Sequence, residues 1–140
     1  MPTPTASPPT DLLSLLRGVE SAPAGDLAGA EHCTRQQAVI LLLQTGRRVS
    51  LEGLAQALDL TIYIDTDMPV DGTAFWTRQG WRIHVSDNLD SAAQLRTALH
   101  EIKHVIDHGL LVSRRSPEDN RHFEYLADLF AELVIAGAAS

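Results

Sequence analysis

"RTALHEIKHVIDHG", residues Arg96 to Gly109, carries three histidines at four-residue spacing, His100, His104 and His108, with Glu101 directly after the first. Leu95, Leu99, Ile102 and Ile106 recur at intervals of four, three and four, the period of a helix with one buried stripe. On such a helix, residues four apart lie one above the other. His100 and His104 can therefore aim their imidazoles at one ion, roughly 2.0–2.1 Å from each nitrogen. His100 and His108 stand roughly 12 Å apart along the axis and cannot share it. The pair His104 and His108 encloses "VID" and holds no glutamate. "HEIKH" is the H-E-x-x-H arrangement, two ligands and a carboxylate able to take a proton from an attacking water, with Glu101 as that base. A chance match in a composition like this one is expected on the order of 1–2% of the time. The competing explanation is an exposed helix face with Glu and Lys in i,i+4 contacts.

Outward from this stretch, Asp87 or Asp90 can cap the helix, which is expected to run to His108 with Gly109 as its C′ residue. Before it, "GTAFWTRQGWRIHVSD" predicts a hairpin, Thr73 to Arg78 and Trp81 to Ser86, turning at Gln79-Gly80. "TIYID" is β-branched and aromatic and predicts a further strand. "VSLEGLAQALDL" predicts a helix capped by Ser50, and a longer helix is expected from Thr34 to near Gly46. Residues 1 to about 10 are Pro, Thr and Ser and predict a disordered tail. A short helix is possible from Asp11, followed by a linker, "SAPAGDLAGAE". The expected division is residues 1–28 as flexible tail and linker, dispensable for metal binding, and 29–140 as the folded domain. After the motif, Ser116 caps and Pro117 opens a final helix with Phe123, Ala127, Phe130 and Val134 as its buried stripe. The order of helices, a small three-stranded sheet, then two helices gives an α+β class.

A catalytic zinc needs a third protein ligand and an open position. The extended pattern with Gly three residues after the second His and another His three further on is excluded, because Asp107 and Leu110 stand there. The ligand is expected from the last helix, among Glu118, Asp119, Glu124, Asp128 and Glu132. Glu118 and Asp119 suit a helix cap. Glu124 borders the apolar stripe, and the small Ala127 and Ala131 allow close approach to the histidine helix. Asp128, one turn on, suits a carboxylate that fixes a histidine tautomer from behind. Tyr125, His122 and His84 are the open choices for an oxyanion donor.

Composition narrows the partners. The 140 residues carry a net charge of −7, which repels nucleic-acid phosphates, so no direct nucleic-acid binding is expected. The one cysteine, Cys33, rules out an intrachain disulfide and fits a reducing cytoplasm. "MPTPTASPPT" is no secretory signal, and the longest apolar run, Ala38 to Leu43, is too short to span a membrane. A helix-turn-helix over residues 34–65 would need "TIYID", without Arg or Lys, as its recognition element.

"LHEIKHVIDHG" followed by "FEYLADLFAELVIA" resembles the ImmA/IrrE family of regulatory metallopeptidases, which pairs H-E-x-x-H with a downstream E-x-x-A-(N/D)-x-F-A segment. Glu124, Ala127, Asp128, Phe130 and Ala131 match that segment position by position, and the likeness extends over about residues 34–136. The resemblance implies a zincin-like fold, Zn2+ at His100, His104 and Glu124, Glu101 as the base, and a repressor- or transcription-factor-like substrate protein cut inside the cell. Two departures stand out. The closing helix reads "VIAGAAS" where relatives run to Met-Pro, and no further domain is expected after it. Lys103 occupies a position often small in relatives and is expected beside the site, altering access. The alternative is a non-catalytic anti-repressor or toxin-like protein that acts by contact; an intact Glu101 argues against it.

Overall fold

The computed structural model describes residues 11–138; the expected tail over residues 1 to about 10 lies outside them. The described chain forms α1 (Leu12–Arg17), α2 (Leu27–Gln44), α3 (Leu51–Leu58), β1 (Thr61–Asp65), β2 (Gly72–Thr77), β3 (Gly80–Ser86), α4 (Ser91–Ile106), α5 (His108–Ser113) and α6 (Pro117–Ala138). Each long helix begins at a side chain that accepts an otherwise orphaned N–H. Asp26 accepts from Gly29, Ser50 from Gly53 and Asp90 from Ala93. At α6 the cap is reciprocal: Ser116 Oγ accepts from the Asp119 amide, and Asp119 accepts from the Ser116 amide.

The sheet order is β1-β3-β2, with β1 parallel and β2 antiparallel to β3. The central strand is therefore the most buried, and Ile83 and Val85 are fully enclosed. α4 packs across β2 and β3 on one side and against α6 on the other. Leu99, Ile102, Phe130, Ala131 and Val134 join Ile83 and Val85 in one core. Among the described residues no helix is long and apolar enough to cross a membrane.

Several boundaries differ from expectation. α2 starts at Leu27, not Thr34, because Asp26 is its cap; the expected boundary at 28/29 falls inside this helix. Thr34 is instead buried within it, its hydroxyl donating to the Ala30 carbonyl. The hairpin pairs Thr77 with Gly80, so the turn is Arg78-Gln79, and Gly80 supplies the positive φ of 110° as the first residue of β3. α4 ends at Ile106, and Gly109 lies inside the short α5 rather than closing α4. α1 is present, and its Leu16 is fully buried. Arg17 reaches from α1 to donate to the carbonyls of Val105 (2.6 Å) and Ile106 (3.3 Å), two acceptors in the last turn of α4. "TIYID" is a strand of the sheet, which removes the helix-turn-helix option.

Candidate metal site

His100 and His104 stand one turn apart on α4, their Nε2 atoms 3.2 Å from each other. α6 packs closely against α4, and its small Ala127 and Ala131 are fully buried. That approach brings Glu124 to both rings: Oε2 lies 2.9 Å from His100 Nε2, and Oε1 lies 2.9 Å from His104 Nε2. One turn along α6, Asp128 Oδ1 lies 2.7 Å from His100 Nδ1. The histidine side chains are 19% and 16% exposed, whereas Glu124 is 63% exposed, so the carboxylate closes the cluster from the solvent side.

Glu101 flanks the pair, with Oε2 3.9 Å from His100 Nε2. Donor atoms of His100, Glu101 and His104 all lie within 4.8 Å of one another, so either carboxylate could complete a three-residue set. Glu124 is the nearer and alone bridges both imidazoles at 2.9 Å. Burial pushes the Glu101 carboxyl above its usual range, with Glu124 adding to the shift and the two histidines opposing it.

The donor chemistry suits a cation. A neutral His100 that donates Nδ1–H to Asp128 presents a bare lone pair at Nε2. That lone pair faces a carboxylate oxygen and a second imidazole nitrogen. Acceptors facing acceptors are stable only around positive charge, supplied by protons or by a metal ion. Bonds of about 2.0–2.1 Å at tetrahedral angles would put ligand atoms roughly 3.3 Å apart. The observed separations of 2.9, 2.9 and 3.2 Å are close to that edge length. His104 Nδ1 is buried with no hydrogen-bond partner among the described residues, unlike its counterpart on His100.

A cleft of about 270 Å³ runs past this cluster, lined by Glu101, His104, Glu124, His108 and the sheet residues Thr73, Ala74 and Trp81. The β2 wall was not legible in the histidine motif. Gly72 makes it possible, since a Cβ there would sit 2.5 Å from Thr97 Cγ2 and 3.4 Å from Glu101 Cγ. Glycine is what lets the strand lie this close to α4. His108 is edge-on to Trp81, ring centroids 4.9 Å apart.

Other expected residues lie elsewhere. Asp119 serves the α6 cap, and Glu118 approaches only His122, at 4.0 Å. Glu132 is outside the cluster. None of the three oxyanion choices lines the cleft. Tyr125 donates to Glu31 on α2, and His122 lines a different cavity. His84 pairs with Asp65 and is stacked by Tyr63 and Phe75 on the sheet. Lys103 is also not beside the site. It points the other way, 2% exposed, into a buried cluster with Gln37 and Asp107.

Residues 55–139 match the family model described as the IrrE N-terminal-like domain of the M78 peptidases, and the chain belongs to this family. The α+β architecture agrees with a zincin-like member, and membership supports a metallopeptidase-like regulatory function on a protein substrate. No curated protein and no solved structure matches the chain significantly.

Proposed function

We propose that this member of the IrrE N-terminal-like family is a zinc-dependent endopeptidase of the cytoplasm that cuts a repressor-like regulatory protein. His100, His104 and Glu124 would hold the zinc. The observation that carries this is the convergence of two imidazole nitrogens on both oxygens of Glu124 at 2.9 Å. When bound, zinc supplies a Lewis acid for the scissile carbonyl and a water of lowered pKa.

The chain's own residues do the rest. Asp128 accepts from His100 Nδ1, which fixes the tautomer and leaves Nε2 free toward the centre. Glu101, half-buried at the edge of the cleft, takes the proton from the attacking water and returns it to the leaving amine. Burial raises its carboxyl above the usual carboxylate range, which makes it a stronger base. The wall from Thr73 and Ala74 confines an extended peptide segment beside Glu101.

The test joins metal analysis to cleavage. Protein purified without added metal should contain about one zinc per chain, and His100→Ala and His104→Ala should lose it. Glu101→Gln should keep zinc and cut a repressor-like partner at least about 10²-fold more slowly, with fragments read by mass spectrometry. Relief of repression by wild type and Glu101→Gln alike, with no fragments, would instead establish a regulator that acts by contact.

A further inference from the structure

A second and larger cavity, about 410 Å³, opens where the chain between α1 and α2 runs past α4 and α6. Residues on a different face of α4 from the metal site border it: Lys103, Ile106 and Asp107. Much of the remaining wall is apolar, including Pro23, Leu27, Leu110 and Phe123. Among these apolar groups lies a buried polar cluster. Lys103, the chain's only lysine, donates to Gln37 Oε1 and Asp107 Oδ1, each at 2.8 Å. Gln37 in turn donates to the Leu16 carbonyl at 3.1 Å.

This cluster is complete except at one atom. Asp107 is 5% exposed, and its Oδ2 is buried with no hydrogen-bond partner among the described residues. A buried carboxylate oxygen without a donor is uncommon in folded proteins and costs stability. Burial pushes the Asp107 carboxyl upward, against the pull of Lys103. Three cationic groups, Arg17, Lys103 and Arg114, and three acidic ones, Asp26, Asp107 and Asp119, line the cavity. Their formal charges cancel, so the space favours a neutral guest over an ion.

We propose that this cavity is a binding site for a neutral, mainly apolar small molecule that donates one hydrogen bond to Asp107 Oδ2. Its size lies within the roughly 300–1,000 Å³ of ordinary small-molecule sites, and its make-up is theirs: apolar walls with one convergent polar group. Filling the space with apolar surface and supplying the missing donor satisfy both features together. None of the metal-cluster residues lines this cavity, although His108 borders both it and the cleft beside the cluster.

Titrating the full chain with indole, followed in amide proton–nitrogen correlation spectra, tests this. Benzofuran, of the same shape without the N–H, is the control. Indole should bind saturably, with shifts gathered at Leu27, Lys103, Asp107 and Phe123, and about tenfold more tightly than benzofuran. Asp107→Ala alone leaves Lys103 buried and unpaired and can unfold the chain. The paired change Lys103→Met with Asp107→Leu avoids that, and should bind both probes equally. Ala30→Phe, which fills the cavity, should abolish binding. Equal affinity of the two probes for wild type would overturn the proposal, because the guest would then owe nothing to a hydrogen bond with Asp107. So would absence of a saturable shift, shifts centred elsewhere, or a preference for indole that survives the paired change.

Discussion

Two faces of α4 each carry an ionisable pair at i,i+4, and they behave oppositely. Lys103 and Asp107 hold opposite charges, are 3% and 6% exposed as side chains, and form a direct ion pair at 2.8 Å. His100 and His104 are alike, are surrounded by Glu101, Glu124 and Asp128, and leave acceptors facing acceptors. The first face neutralises itself and can be closed by the core. The second stays open on the Glu124 side and could hold a cation. Spacing alone does not distinguish the two; the sign of the charges does. The first pair cancels its charge within itself and leaves over only a neutral acceptor need at Asp107 Oδ2, whereas the second leaves uncancelled acceptors around a shared centre.

The largest effect expected from breaking this contrast is on the self-neutralised face. Lys103→Met strands Asp107 as an unpaired buried carboxylate and should cost about 3–5 kcal/mol in urea unfolding. Lys103→Met with Asp107→Leu replaces both charges by apolar groups and should regain most of that loss. If the single and double changes cost the same, the pair is not what holds this face together. His100→Ala, on the other face, should cost metal-free protein far less, because its partner carboxylates remain exposed.

On the open face the ranking of carboxylates is the sharper question. Asp128→Asn should weaken zinc binding about 10- to 100-fold in competition with a chromophoric chelator, the usual cost of losing a histidine's outer partner. Glu124→Ala should weaken it further, and Glu101→Gln should leave it nearly unchanged. Should Glu101→Gln abolish binding while Glu124→Ala does not, the three-residue set is His100, Glu101 and His104, and Glu101 cannot be the base.

The two faces were not equally legible in the sequence. The histidine pair is a local pattern, four residues on one helix, and local periodicity places it without knowledge of the fold. Glu124 could be picked from five carboxylates only indirectly, from its place beside the apolar stripe, because its meeting with the histidines depends on how closely α6 crosses α4. Ala127 and Ala131 signalled that closeness. Lys103 lies on the side away from the site, against expectation, because its main partner outside α4, Gln37, lies 66 residues earlier on α2. Nothing near Lys103 in the chain announces that contact. The start of α2 was hidden for a different reason: its first turns are Ala- and Gly-rich and read as linker, while the cap at Asp26 carries the signal. The parallel pairing of β1 with β3 puts the third strand between the first two, an order that strand patterns do not encode.

A smaller effect should follow from Gly72→Ala. The added methyl meets the Thr97 methyl at 2.5 Å and nears Glu101 Cγ at 3.4 Å, so β2 must shift away from α4 or Thr97 must turn. The expected cost is about 1–2 kcal/mol, the lower range for overpacking. Peptide cleavage should fall by more than stability does, since β2 forms the cleft wall beside Glu101. Equal stability with unchanged cleavage would show that the strand's close approach has no part in the site.

The smallest effect tests whether the N-terminal helix belongs to the same mechanical unit as α4. Arg17 donates to the Val105 and Ile106 carbonyls, just before the break between α4 and α5 at Asp107. Arg17→Met keeps an aliphatic stem of similar length but withdraws both donors. Water can replace part of what is lost, because Arg17 is only partly buried, so the net cost should be about 1 kcal/mol. Amide hydrogen exchange should locate that cost. The last turn of α4, Lys103 to Ile106, should exchange faster, while the turn holding His100 stays protected. Zinc affinity should then fall only modestly, because of the proposed ligands only His104 sits in the loosened turn, while His100 and Glu124 lie outside it. Uniformly faster exchange along α4, with loss of zinc, would show that α1 supports the metal site directly. It would also show that residues 11–28 cannot be removed without cost to that site.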